Sequence, residues 1–285
     1  MANLEAYFKE NKSTISDLID EAGKVKSLPR PYLGMSQLGE ECWRKLWYYF
    51  RWCTYSEYDG RVQRIFDTGH RAEADMIRDL ESIGVKTWDT LDAQAGFVAV
   101  GGHCQGHGDG MGIGIPDAPK TEHLLEFKTS SDKYFKEVQK KGVMVSKPLH
   151  YAQMVLYMKF TKATRGLYMV YNKNTSAYYT ERVREDKTYA KDLLRKAESI
   201  ITSETVEAFQ KIGNGTESFF MCRFCDSSDV CHNGAKPVKT CRTCTSANLL
   251  DDGVWGCGLQ KDKPLSTEEQ AEACPNYNLL ECFNG

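Results

Sequence analysis

Apolar positions in this chain recur first at helical spacing and then at every second residue. Between residues 3 and 26, Leu4, Phe8, Ile15, Leu18, Ile19 and Ala22 form one helical stripe, which Leu28-Pro29-Arg30-Pro31 ends. A second helix is expected from about Ser36, a good N-cap with Glu40 close behind. It would carry Leu38, Cys42, Leu46 and Tyr49 along one side. A third, from about Arg61 to Ile83, has Phe66, Met76, Ile77 and Leu80 on its apolar stripe, and His70 and Glu73 fall on that same side. A carboxylate on a buried stripe is costly unless paired or coordinated, which singles out Glu73.

The pattern then shortens to a period of two, with strands expected near 94–101, 105–115 and 124–129, and again at 165–171 and 176–183. Helices are expected at about 132–141, 148–157 and 186–212. The expected fold is α/β, a mixed central sheet flanked by helices, with a small cysteine-rich metal-binding module at the C-terminal end.

The richest stretch is residues 104–128, CQGHGDGMGIGIPDAPKTEHLLEFK. Glycines at 106, 108, 110, 112 and 114 leave Asp109, Met111, Ile113 and Ile115 on the other face of an extended strand. Pro116 to Lys120 supply turn chemistry, and a returning strand puts Glu126 and Lys128 on one face, with Leu125 and Phe127 on the other. Antiparallel pairing would gather Asp109, Glu126 and Lys128 on one surface. Two carboxylates bind a hard cation such as Mg2+ or Mn2+ through oxygen. Such an ion activates water and stabilises a phosphoryl oxygen, while the lysine orients water or phosphate. No lysine-serine pair or helix follows the glycines, which argues against a P-loop or dinucleotide site. The bare glycine face would admit either a neighbouring element or a DNA backbone.

Composition changes the picture in two ways. The 285 residues, 41% of them hydrophobic, suffice for a sizeable core and one small appendage. No run of eighteen apolar residues exists and the start lacks an apolar signal core, so a soluble cytoplasmic protein without membrane contact is expected. A net charge of -2 demands that any DNA contact use local basic surface. The candidates are Lys133, Lys136, Lys140, Lys141 and Lys147, whereas Arg182, Arg184, Lys187, Lys191, Arg195 and Lys196 read as a solvated face. Eleven cysteines, seven of them between Cys222 and Cys274, come without a secretory signal and with C-x-x-C pairs, which favours metal over disulfides.

In order, the chain carries Gly69-His70-x-x-Glu73 on a helix and Asp109 on a strand. Glu126-Phe127-Lys128 follows on the next strand, and Gln153 and Tyr157 lie at i and i+4 on a helix. This order, across roughly residues 36 to 235, resembles the RecB-like, CRISPR-associated and phage-exonuclease branch of the PD-(D/E)XK nuclease superfamily. The resemblance implies a restriction-endonuclease-like core and Mg/Mn-dependent hydrolysis of DNA, with Glu73, Asp109 and Glu126 as metal ligands. Lys128 would position the water, and Gln153 and Tyr157 would contact the DNA backbone. Many relatives have histidine where this chain has Glu73, so His70 is the competing first ligand. Exonuclease action in phage-type recombination or DNA processing is implied, with a recombination or helicase protein as partner. Trimming of DNA ends in CRISPR adaptation is a second setting. A non-catalytic, metal-stapled nucleic-acid or partner-binding protein would be expected to lack one of the acids or the lysine, and all are present.

The same branch has an iron–sulfur subset with one cysteine before the core and three after it, matched here by Cys42 and Cys222-x2-Cys225-x5-Cys231. A 4Fe-4S cluster there would clip the N-terminal helix to the C-terminal segment. The alternatives are zinc on Cys222, Cys225, Cys231 and either Cys42 or His232, or a plain core cysteine at 42, with Cys53 competing for its role. Further on, Cys241-x2-Cys244-x12-Cys257-x16-Cys274 reads as a zinc-ribbon-like module with Trp255 packed between the knuckles. Cys104 and Cys282 receive no role. The expected organisation is an N-terminal helical region (1–60), a nuclease core (61–215), a cysteine cluster (216–235) and the zinc-ribbon-like module (236–285).

Overall fold

The computed structural model describes residues 14–24, 28–55 and 58–284. Helix α1 (Ile15–Ala22) is opened by a Thr14–Asp17 capping box. The rest of the expected 3–26 helix, with Leu4 and Phe8, falls outside the described residues. Strand β1 (Leu33–Gly34) leads into a 3-10 turn, and helix α2 (Trp43–Phe50) begins later than its apolar pattern suggests. Gly39 explains the delay, because a Cβ there would lie 2.8 Å from Leu149 Cα and 2.9 Å from Ala152 Cβ. The chain at Gly39 is pressed flat on another helix. Cys42 is therefore the N-cap of α2, its Sγ accepting the Lys45 N–H at 3.4 Å, and not a member of a buried stripe.

Helix α3 (Gly60–Ser82) is N-capped by Asp59 and buries Ala72, Met76, Ile77 and Leu80. Phe66, expected on that stripe, is exposed instead. Strands β2 (Lys86–Trp88), β3 (Gly96–Ala99), β4 (Cys104–His107), β5 (Gly110–Ile113) and β6 (His123–Ser130) follow. Next come α4 (Asp132–Ser146), α5 (Pro148–Thr161), β7 (Arg165–Asn172), β8 (Tyr178–Arg184) and α6 (Lys187–Thr202). The main sheet has the order β2-β5-β6-β7-β8, with β6 and β7 parallel and the other pairs antiparallel. A second sheet, β1-β4-β3, takes the strand expected at 94–101 out of the central sheet.

The expected strand at 105–115 is therefore two strands in two sheets, with Asp109 at the crossing. Gly110 makes the turn: its φ is +145°, and a Cβ there would lie 2.4 Å from the Thr90 methyl. The main sheet is covered on both faces. Leu125, Phe127, Leu167 and Met169 pack with Met76, Ile77 and Leu80 of α3. Leu124, Tyr168 and Val170 pack with Met154, Val155 and Met158 of α5.

Helix α4 runs past its expected end through a kink at Gly142, where the Glu181 carboxylate accepts the Val143 N–H at 2.7 Å. Helix α6 stops at Thr202, ten residues short of expectation. Ser203 turns extended there, and its carbonyl accepts from Trp47 Nε1 at 2.9 Å and Arg51 Nη2 at 3.2 Å. Lys196, expected on a solvated face, is buried. Its ammonium donates to the Leu38 carbonyl at 3.1 Å and to the Glu40 carbonyl.

Helix α7 (Ser228–His232) precedes an antiparallel meander of β9 (Ala247–Leu249), β10 (Trp255–Cys257) and β11 (Lys263–Leu265), then helix α8 (Thr267–Glu272). Trp255 is buried, 5.3 Å from the Phe50 ring, and so ties the meander to α2. Among the described residues no helix is long and apolar enough to cross a membrane.

Candidate active site

Strand β6 alternates as its sequence demands. Leu125 and Phe127 enter the α3 side of the core, so Glu126 and Lys128 face the α5 side. The antiparallel register Gly110↔Leu125 brings Asp109 alongside, and Asp109 Oδ2 accepts the Phe127 N–H at 2.7 Å. Lys128 Nζ lies 3.8 Å from Asp109 Oδ2 and in direct contact with Glu126 Oε1. The Glu126 side chain is 0% exposed, against 16% for Asp109 and 25% for Lys128. Apart from that ion contact, neither Glu126 oxygen has a hydrogen-bond donor among the described residues.

The charges respond to this crowding. Burial pushes the Glu126 carboxyl up to about 8, with Lys128 opposing the shift and Asp109 adding to it. Burial works against the Lys128 charge, but Glu126 and Asp109 outweigh it and hold the ammonium above its ordinary value. Glu73 approaches from α3. Burial first, then the Asp109 charge, raises its carboxyl, while Gln94, Lys128 and His70 act the other way. Gln94 Nε2 donates to Glu73 Oε1 at 3.0 Å, fixing that side chain from the loop before β3.

Helix α5 supplies the opposite wall. His150, Gln153 and Tyr157 share one face of it and line a cleft of about 580 Å³ that also contains His70, Asp109 and Lys128. Tyr157 is nearly buried because Gly106 makes room for it: a Cβ at 106 would lie 2.7 Å from the Tyr157 ring and hydroxyl. Phe97 flanks the same ring at 4.9 Å and fills the space over Gly108. The bare glycine face at 106 and 108 thus serves close packing of neighbouring side chains. Burial, then the charges of Glu126 and Asp109, raises the Tyr157 phenol.

Of the seven sequence-predicted residues of the site, His70, Asp109, Lys128, Gln153 and Tyr157 line one cleft, while Glu126 lies buried against Lys128 and Glu73 lies within electrostatic reach of Asp109 and Lys128. Sequence reasoning missed Gln94, His150 and Tyr168. His150 was legible, three residues before Gln153 on the same helix face. Its Nδ1 lies 2.7 Å from the Tyr168 hydroxyl, and burial with the Lys128 and Lys147 charges pushes it down to about 3, so it is neutral. Tyr168 becomes visible only through its register with Glu126 across β6 and β7.

The two cysteine sets also draw together. Cys42 and Cys231 lie within electrostatic reach of each other, as do Cys225 and Cys42, and Cys222 and Cys231. Cys53 stays in the core beside Cys282, away from this set. Cys241, Cys244, Cys257 and Cys274 line one void of about 20 Å³, and burial, then the other three thiols, pushes Cys241 up to about 11. Among the described residues, no three His, Cys, Asp or Glu side chains stand close enough together to cage an ion as placed.

No protein-family model and no curated protein matches the sequence. Among solved structures, the chain is similar to SSO0001, with 17% identity, 80% of this chain and 93% of that chain covered, and a TM-score of 0.42. It is also similar to the alkaline exonuclease LHK-Exo from Laribacter hongkongensis, with 15% identity, 63% and 90% covered, and a TM-score of 0.45. For LHK-Exo in complex with dAMP the values are 16%, 62% and 89%, and 0.45. Likenesses this remote leave function to be decided by the chain's own side chains.

Proposed function

We propose that the chain is a divalent-metal-dependent deoxyribonuclease that hydrolyses phosphodiester bonds, with exonuclease action as the favoured form. One observation carries this reading. Glu126 is a fully buried carboxylate whose one polar partner among the described residues is the Lys128 ammonium, and it lies beside Asp109 just beneath an open cleft that Asp109 and Lys128 line. One ammonium cannot neutralise two neighbouring buried acids and fill their remaining lone pairs, and a hard cation with oxygen ligands would do so. Asp109 and Glu126 would hold Mg2+ or Mn2+, with Glu73 as the further ligand and His70 at the rim. The ion would supply an activated water and charge stabilisation at a phosphoryl oxygen.

The remaining steps belong to the chain itself. Lys128 orients the attacking water and offsets charge as the phosphodiester reacts. Gln153 donates toward the DNA backbone, and Tyr157, locked between Gly106 and Phe97, holds its hydroxyl near the acids. Cys42, Cys222, Cys225 and Cys231 would supply four thiolates to a 4Fe-4S cluster, with zinc as the alternative, and so clip the start of α2 to α7 and the segment before it.

The test is digestion of linear single-stranded and duplex DNA with Mg2+, comparing wild type with Glu126→Gln. The amide keeps the shape and removes the charge, so cleavage is expected to fall by about 10²–10³-fold. Equal cleavage by both proteins would contradict the assignment.

A further inference from the structure

We infer that Cys241, Cys244, Cys257 and Cys274 form a thiolate site for one tetrahedral zinc-type ion, and that the loaded module braces one wall of the cleft through Arg242. The four cysteines come from the turn before β9, the end of β10 and the segment after α8, yet all line the same 20 Å³ void. No three of these thiols stand close enough to hold an ion as placed, so loading would draw them into the void they share; a closed four-thiolate set is the chemistry of structural zinc. Each thiol releases its proton as it binds.

Arg242 sits inside the Cys241–Cys244 knuckle and is 0% exposed. Its Nε donates to Gln270 Oε1 at 2.8 Å within the module. Its Nη1 donates to the Phe50 carbonyl at 2.9 Å and its Nη2 to the Pro31 carbonyl at 2.8 Å, both outside it. The guanidinium lies 3.9 Å from the Trp52 ring centroid and 4.9 Å from that of Trp255. It has no carboxylate partner among the described residues, whereas four thiolates on a divalent ion leave a net negative site beside it in the chain.

Pro31 stands between Arg30 and Tyr32, both of which line the cleft. A second contact reinforces the first. The Leu250 carbonyl lies 2.7 Å from His103 Nε2, and the Gly253 N–H donates to the Gly101 carbonyl at 2.7 Å. These grip the β3–β4 turn, and β4 carries Gln105, Gly106 and His107 into the cleft wall. The module therefore holds the β1-β4-β3 sheet from behind, and Arg242 is a positioning residue. The brace deepens the proposed nuclease reading only in its kinetic consequence.

The test uses the full chain and three readouts: zinc content, hydrogen exchange resolved by segment, and kcat and KM on DNA. Cys257→Ser is expected to lose one zinc per chain and to expose residues 30–34 and 101–107 to exchange, with β6 and β7 still protected. Arg242→Met is expected to keep its zinc, expose the same segments and raise KM about tenfold with little change in kcat. Arg242→Lys, which retains the charge without the directional bonds, should fall between. Chelating zinc from the wild type and restoring it should reverse the exchange change. Full zinc in Cys257→Ser would overturn the site. Zinc loss without local exchange, or loss of protection throughout β6 and β7, would overturn the brace. Zinc content and exchange report on the brace even if no DNA is cut.

Discussion

An ordinary glutamate is ionised at neutral pH, but Glu126 lies wholly out of water, and burial lifts its carboxyl to about 8 against an ordinary 4.5. Between those values the folded, metal-free protein holds a proton that the unfolded chain has released. This contribution to stability is complete below about 4.5 and is lost as pH rises through about 8. Urea midpoints of wild type and Glu126→Gln measured across that range, without divalent ions, should diverge in this sense; parallel curves would contradict it. Under the proposed reading, binding of Mn2+ at Glu126 would displace the same proton, so affinity should climb with pH over the same window. A second residue-scale expectation concerns Gly106. An alanine Cβ would meet the Tyr157 ring at 2.7 Å, so Gly106→Ala should cost about 1–3 kcal/mol in thermal unfolding and slow DNA cleavage. Gln94 shows where sequence reading ends: it lies in no periodic stretch, and only the fold brings it to Glu73.

Elements were legible where period and caps agreed and illegible where tertiary contacts cut them. Helix α3, strand β6 and strand β7 appear within a residue or two of their apolar patterns. The glycine-rich strand does not, because no hydrophobic alternation marks the place where Asp109 leaves one sheet for another. The shortened α6 is likewise ended by contacts from α2, which lies some 150 residues earlier in the chain. Helices α2 and α6 are further joined through Lys196, whose ammonium serves the carbonyls of Leu38 and Glu40 and lies 5.5 Å from the Trp43 ring. Lys196→Met should leave both carbonyls without this donor and lower stability by about 1–3 kcal/mol, read as a shift in urea midpoint. A neutral substitution would show that water replaces the ammonium there.

For the molecule as a whole, the proposed reading divides the labour: thiolate sites would join distant segments, and the acids and lysine would form a reactive floor between two sheets. Anaerobic purification should yield a brown protein with about four irons per chain at Cys42, Cys222, Cys225 and Cys231. A colourless protein carrying zinc alone would assign that set to zinc. The central claim, hydrolysis of DNA by Asp109, Glu126 and Lys128, is tested most directly by digesting single-stranded and duplex DNA with Mg2+, using wild type, Asp109→Ala and Lys128→Ala. The wild type is expected to degrade DNA and both variants to fall by about 10² or more. Intact DNA with the wild type, or equal cutting by the variants, would contradict it.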